Sequence, residues 1–137
     1  MADIRKIKLP DGNTYNLVPN MSLTYGSFGS SSVSLSSNVW KNVYTISTVK
    51  TGLYLCAGYA RMTHTGAASR ECEITDSSGT RLDISCSTRN SGSGEGTASF
   101  CGFIDVNNSL NNVKFNVRCG TTGTLTEWEI RLVRIGD

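Results

Sequence analysis

The chain has little proline, histidine or net charge, and each scarcity removes a class of explanation. Its 137 residues hold two Pro and one His, and 13 Lys and Arg set against 11 Asp and Glu leave a net charge of only +2. The cationic residues are dispersed, so they make no electrostatic footprint for nucleic acid. No stretch approaches the roughly eighteen apolar residues of a membrane-crossing helix, and membrane insertion is not expected. Helical i, i+3, i+4 periodicity is missing over any useful length. With one histidine, His64, no Ser-His-Asp or Cys-His spacing can be drawn. The five cysteines make no C-x-x-C pair, which disfavours zinc. No cofactor, metal or catalytic role is therefore expected.

Many Gly, Ser, Thr and Asn remain, separated by phrases that alternate apolar and polar residues. That usage belongs to an all-β protein with many tight turns. Alternating phrases begin at VWKNVYTIST and GLYLCAGYARMT and continue at about 71–75, 81–87, 98–105, 113–119 and 125–135. Turn phrases such as DSSGT, NSGSGEG, NNSLNN and GTTG lie between them. Seven or eight strands at this spacing predict an antiparallel β-sandwich of jelly-roll type, and a chain of this length buries roughly two thirds of its unfolded surface on folding. A second pattern precedes the body. Ile7 and Leu9 alternate with Lys6 and Lys8, Asp11-Gly12 supplies a turn, and a second short strand follows, which is a β-hairpin. The Ser- and Gly-rich stretch VPNMSLTYGSFGSSS then reads as an extended connector, with Tyr25 and Phe28 docking on the body or a neighbouring chain and a short strand at 33–35. The expected division is 1–30 for hairpin and connector and 31–137 for the sandwich head.

Each cysteine, Cys56, Cys72, Cys86, Cys101 and Cys119, lies in a strand-like phrase, where free Cys behaves as a small buried hydrophobe. The chain opens on Met with no apolar leader, so synthesis in a reducing cytoplasm and free thiols are expected.

The phrase IKLPDGNTYNL resembles the opening hairpin of bacteriophage and prophage tail, baseplate and fibre proteins, where I-K-L-P-D-G-x-x-Y-x-L recurs. The body, through a tryptophan strand, GLYLCAGYA, the glycine-rich FCGFI and a closing WEIRLVRI, resembles the trimeric jelly-roll heads of phage receptor-binding proteins and the wider complement-C1q and tumour-necrosis-factor group. The resemblance implies a homotrimer in the virion, at a tail tip or fibre, made in the bacterial host, with residues 1–30 serving virion attachment or a trimer stem. Other tail or baseplate proteins would hold its N-terminal segment, and a host cell-surface glycan or protein would be its target.

Alternation also places candidate interfaces. Leu53, Leu55, Ala57 and Tyr59 share one face of a strand whose other face is also apolar, and Val133 and Ile135 make the end of the closing strand apolar on its second face. Both read as strands covered by core and by a neighbouring subunit. Because successive connections alternate between ends, one end should collect the loops near residues 38, 65–70, 88–96 and 120–124, away from the hairpin. The polar candidates there are His64, Arg70, Arg89, Asn90 and Glu95. A lone His is ordinarily a solvated loop residue, and Glu71 and Glu73 on one strand face are ordinarily solvated rather than a glycosidase pair. The expected function is a non-enzymatic receptor-binding head that gains strength from three copies. A purely structural tail or baseplate module that binds virion neighbours is the alternative.

Overall fold

The computed structural model describes residues 6–16, 24–107 and 112–136, and among these no helix occurs. A two-stranded antiparallel hairpin, β1 (Lys6–Lys8) and β2 (Thr14–Asn16), comes first. Asp11 shapes its turn by accepting the Asn13 N–H at 2.8 Å, which holds the carboxyl below its ordinary range. The body follows with β3 (Thr24–Gly29), β4 (Val33–Leu35), β5 (Lys41–Ile46), β6 (Gly52–His64), β7 (Ala68–Thr75), β8 (Arg81–Asn90), β9 (Gly94–Val106), β10 (Val113–Cys119) and β11 (Gly123–Gly136).

One sheet runs β3-β11-β6-β9, with β4 also paired to β11, and the other runs β5-β10-β7-β8. Leaving aside β4 and counting from β3, the orders are 1-8-3-6 and 2-7-4-5, with every strand pair antiparallel. This is the jelly-roll order that the strand count predicted. Period-2 alternation drives it. On β6, Tyr54, Cys56, Ala60 and Met62 face inward and are fully buried, and β10 answers from the opposite sheet with Val113, Phe115, Val117 and Cys119. On β11, Trp128, Ile130 and Leu132 share the inner face as the sequence implied. A chain of rings crosses between the sheets, from Phe100 to Phe115 at 5.8 Å, on to Trp128 at 6.2 Å and to Tyr44 at 5.5 Å. Offset, tilted rings at such distances add attraction beyond area burial.

The connector expectation needs correction. Residues 24–29 form the first jelly-roll strand, paired along β11 from Trp128 to Val133, so this part of the expected 1–30 segment belongs to the sandwich. Its inward positions are Tyr25, Ser27 and Gly29, which give no run of bulky apolar residues to betray a strand. Tyr25 docks on the core as expected, whereas Phe28 points outward and is 70% exposed. The stretch 17–23, also assigned to the connector, lies outside the described residues.

The ends of the sandwich are as chain direction implied. Connections 36–40, 65–67, 91–93 and 120–122 gather at one end, here called distal, and 47–51 and 76–80, with the end of β9 and the start of β10, at the other, proximal end. The hairpin sits at the proximal end, where Tyr15 is buried and its hydroxyl donates to Asp105 at 3.4 Å. Leu9, Tyr15, Leu53, Leu82 and Phe103 line a small cavity of about 280 Å³ between hairpin and body.

Candidate binding site at the distal end

Backbone groups and one hydroxyl stitch two distal connections to the start of β7. Asn38 takes a left-handed conformation, φ 58°, that turns its N–H onto the Cys119 carbonyl at 2.8 Å. The Ser37 hydroxyl donates to the Gly120 carbonyl at 3.0 Å, and the Gly120 N–H donates to Ser69 at 2.8 Å. Between these connections and the end of β8 lies a groove of about 680 Å³, lined by Asn38, Ala67, Ala68, Ser69, Arg89, Asn90, Ser91 and Gly120. Its side chains are amides, hydroxyls and one guanidinium, with two alanine methyls. A more open groove of about 710 Å³ lies at the proximal end, between the hairpin and Thr51, Asp105 and Arg134.

The five polar candidates separate. Arg89 and Asn90 line the distal groove. His64 and Arg70 are corrections to the loop reading: β6 runs through 64 and β7 begins at 68, which shortens the expected loop and turns both side chains inward, 5% and 6% exposed. They meet there, with Arg70 Nη1 3.2 Å from His64 Nε2. His64 Nδ1 lies 3.0 Å from the Gly66 carbonyl, which can only accept, so Nδ1 carries the proton. Nε2 is then free to accept from the guanidinium, and the ring is neutral. Arg70 also donates to the Thr88 hydroxyl at 3.4 Å. Glu95 lies on β9 rather than in a loop, exposed and 3.2 Å from Arg61 on the outer face of the larger sheet. It contributes nothing to the groove.

Of the predicted interface residues, Leu53, Leu55, Tyr59 and Val133 lie on that outer face by register, while Ile135 falls in the irregularity between Arg134 and Gly136 and has no partner on β6. Leu55 of β6 stands opposite Val133 of β11 on one side and Phe103 of β9 on the other. Phe103 is 45% exposed and extends this row, which sequence reasoning missed although its alternation with buried Ile104 was readable. Leu53 is corrected: it is 1% exposed, because the hairpin covers it within the same chain. The Tyr59 hydroxyl donates to Glu127 at 2.6 Å, a bond that raises its phenol above the ordinary value. Farther toward the distal end the face turns polar, with Arg61 beside Glu127 and Arg131 beside Glu129.

On the smaller sheet, Glu71 pairs with Arg118 and Glu73 with Arg81 at 2.8 Å, so each carboxylate is held by its own guanidinium rather than turned on a shared point. Arg118 also lies over the Trp40 ring at 4.8 Å, so Trp40 is only half-buried while Trp128 is core. Of the cysteines, Cys56, Cys72 and Cys119 are buried as expected, Cys86 is half-buried and Cys101 is exposed on the outer face. Burial pushes the Cys56 and Cys72 thiols up to about 12. Among the described residues no group of three His, Cys, Asp or Glu could hold a metal ion.

These features define a jelly-roll β-sandwich with a polar groove in its distal loops. No family model and no curated protein matches the chain. Solved structures do. The structure of infectious bursal disease virus, Gx strain, matches with a TM-score of 0.56 at 9% identity over 88% of this chain. The VP2 subviral particle of the same virus matches with a TM-score of 0.50 at 10% identity over 88%. This chain spans 37% and 39% of those two chains, respectively. At such identity the likeness is one of fold.

Proposed function

We propose that the chain is a virion protein of a phage or prophage tail, and that its sandwich is a non-enzymatic, homotrimeric head that adheres to a cell-surface saccharide or protein through its distal loops. The observation that carries this reading is the polarity of the sandwich. The hairpin and the last described residues lie at one end, and a polar groove between the distal connections lies at the other. A stem at one end and recognition loops on a rigid scaffold at the other suit an adhesion head. The hairpin phrase supports a tail location, and the β-sandwich shared with structures of virus particles agrees with a place in a virion. The apolar row of Val133, Leu55 and Phe103 supports a subunit contact near the stem. Three copies would present three grooves in one direction, so that weak sites act together.

Light scattering of the full chain, paired with binding to host cells, tests this. The expected mass is that of three chains, and Leu55→Arg should return a folded monomer that binds cells far more weakly. A full-length monomer would overturn the avidity argument. A trimer that ignores host cells but captures a purified tail or baseplate protein would establish the structural alternative instead.

A further inference from the structure

Five arginines among the described residues have a clear partner. Arg61, Arg81, Arg118 and Arg131 each meet a carboxylate, and Arg134 donates to the Thr51 carbonyl at 2.9 Å. Arg70 and Arg89 differ, for neither has a carboxylate partner among the described residues. Arg70 is the more unusual, because a guanidinium 6% exposed is costly to bury without a counter-charge. Its partners are a neutral imidazole and a hydroxyl, so its charge stays uncompensated. Glu95, next in the chain to the Gly96 against which the guanidinium lies, is turned to the outer face and bound to Arg61.

Both charges lie at the distal end, on opposite faces of the β7–β8 pair. Arg70 follows Ser69, which lines the groove, and stands opposite Thr88 in the β7–β8 register; Arg89 stands opposite Ser69 and lines the groove itself. No acidic residue lines it. Arg70 faces into the sandwich and is not part of the groove lining, so it adds only to the positive potential of this end, whereas Arg89 presents an exposed fork that matches carboxylate or phosphate oxygens. Asn38 and Asn90 add amides of the kind that meet sugar hydroxyls.

We propose that the distal groove binds an anionic saccharide, its acidic group on Arg89, at the end that also holds the buried Arg70 charge, and its hydroxyls on Asn38 and Asn90. This rests on the adhesion reading and narrows its target class.

The test is an NMR titration of the full chain, backed by calorimetry, with three probes: an oligogalacturonate, a glycerol-phosphate oligomer and a neutral malto-oligosaccharide. The two acidic probes separate carboxylate from phosphate as the source of the charge. An acidic probe should move the amide signals of Asn38, Ser69 and Asn90, and its affinity should fall with added salt. Arg89→Gln should weaken it about ten- to hundredfold, the value of a charge-assisted contact, while leaving the solution mass unchanged. Arg70→Met should weaken it too while the protein stays folded, which separates a loss of field from a loss of structure. Equal binding of the neutral probe, indifferent to Arg89→Gln, overturns the inference and leaves adhesion standing. So does host-cell binding with no response to any of the three probes. Failure of all probes together with failure to bind host cells removes the adhesion reading itself.

Discussion

At the proximal end the Tyr54 hydroxyl donates to the Lys50 carbonyl at 2.9 Å, the Lys50 N–H donates to Tyr25 at 3.2 Å and Arg134 caps Thr51, so each enclosed polar group meets a complementary one. At the distal end Arg70 is enclosed as tightly but meets only His64 and Thr88. Polar satisfaction of the first kind stabilises a fold, whereas an enclosed charge without a counter-charge lowers stability. The proximal end is thus built as an anchor, and the distal end holds a charge that the fold alone does not require. That difference motivates placing recognition at the distal end.

Two glycines give the sharpest way to break the comparison. Gly52, at the proximal start of β6, has φ 142°, and a Cβ there would stand 2.6 Å from the Gly136 carbonyl. Gly52→Ala therefore meets backbone on both counts and should cost about 2–4 kcal/mol, read as a fall in melting temperature of roughly 10 °C. Gly96, at the distal end, has an ordinary φ, and a Cβ there would collide with the Arg70 guanidinium. Gly96→Ala should cost about 1–3 kcal/mol, and adding Arg70→Met should recover most of it, since the obstacle is a side chain. A double variant no better than Gly96→Ala alone would show that Arg70 holds the distal end together, contrary to the comparison.

Much of this was legible in the chain, and the gaps have physical causes. Alternation in β6, β10 and β11 places a bulky apolar residue at most inward positions, so strands, faces and the alternation of ends follow directly. β3 reads as connector because pairing with β11 defines it, while its own residues are Thr, Gly, Ser and two aromatics. Arg89 and Asn90 were found because loop alternation depends on chain direction alone. The His64–Arg70 pair was not, because its burial depends on strands running to residue 64 and starting at 68, beyond where period-2 evidence ends.

The pair supplies a smaller effect of opposite signs. His64→Phe fills the space but removes the acceptor for Arg70 Nη1, leaving a buried charge with less company, and should cost about 2 kcal/mol. Arg70→Met removes the charge itself and leaves only His64 Nε2 unsatisfied, so stability should stay within about 1 kcal/mol of the parent. Urea denaturation of both variants reads the difference. Equal losses would mean that Arg70 is as structural as the proximal contacts.

Alkali gives the mildest test, and it falls on the core and the proximal end. Burial pushes the Cys56 and Cys72 thiols and the Tyr54 phenol up to about 12, from ordinary values of 9.0 for Cys and 10.0 for Tyr. Between those ordinary values and about 12 the folded protein keeps protons that the unfolded chain releases. The unfolded state then binds fewer protons, so stability is fully present below pH 9 and declines as pH rises above it. Melting temperature measured from pH 7 to 10.5 should fall over the upper part of that range, and Cys56→Ala should flatten the slope at a cost in stability at every pH. Exchange of the Lys50 amide should quicken with pH beyond the intrinsic rate, because a Tyr54 phenolate can no longer donate to the Lys50 carbonyl and the cap it shares with Tyr25 loosens. Protection of the distal amides of β7 should follow only the global loss. If the distal amides open first in alkali, the anchor lies at the wrong end of the sandwich.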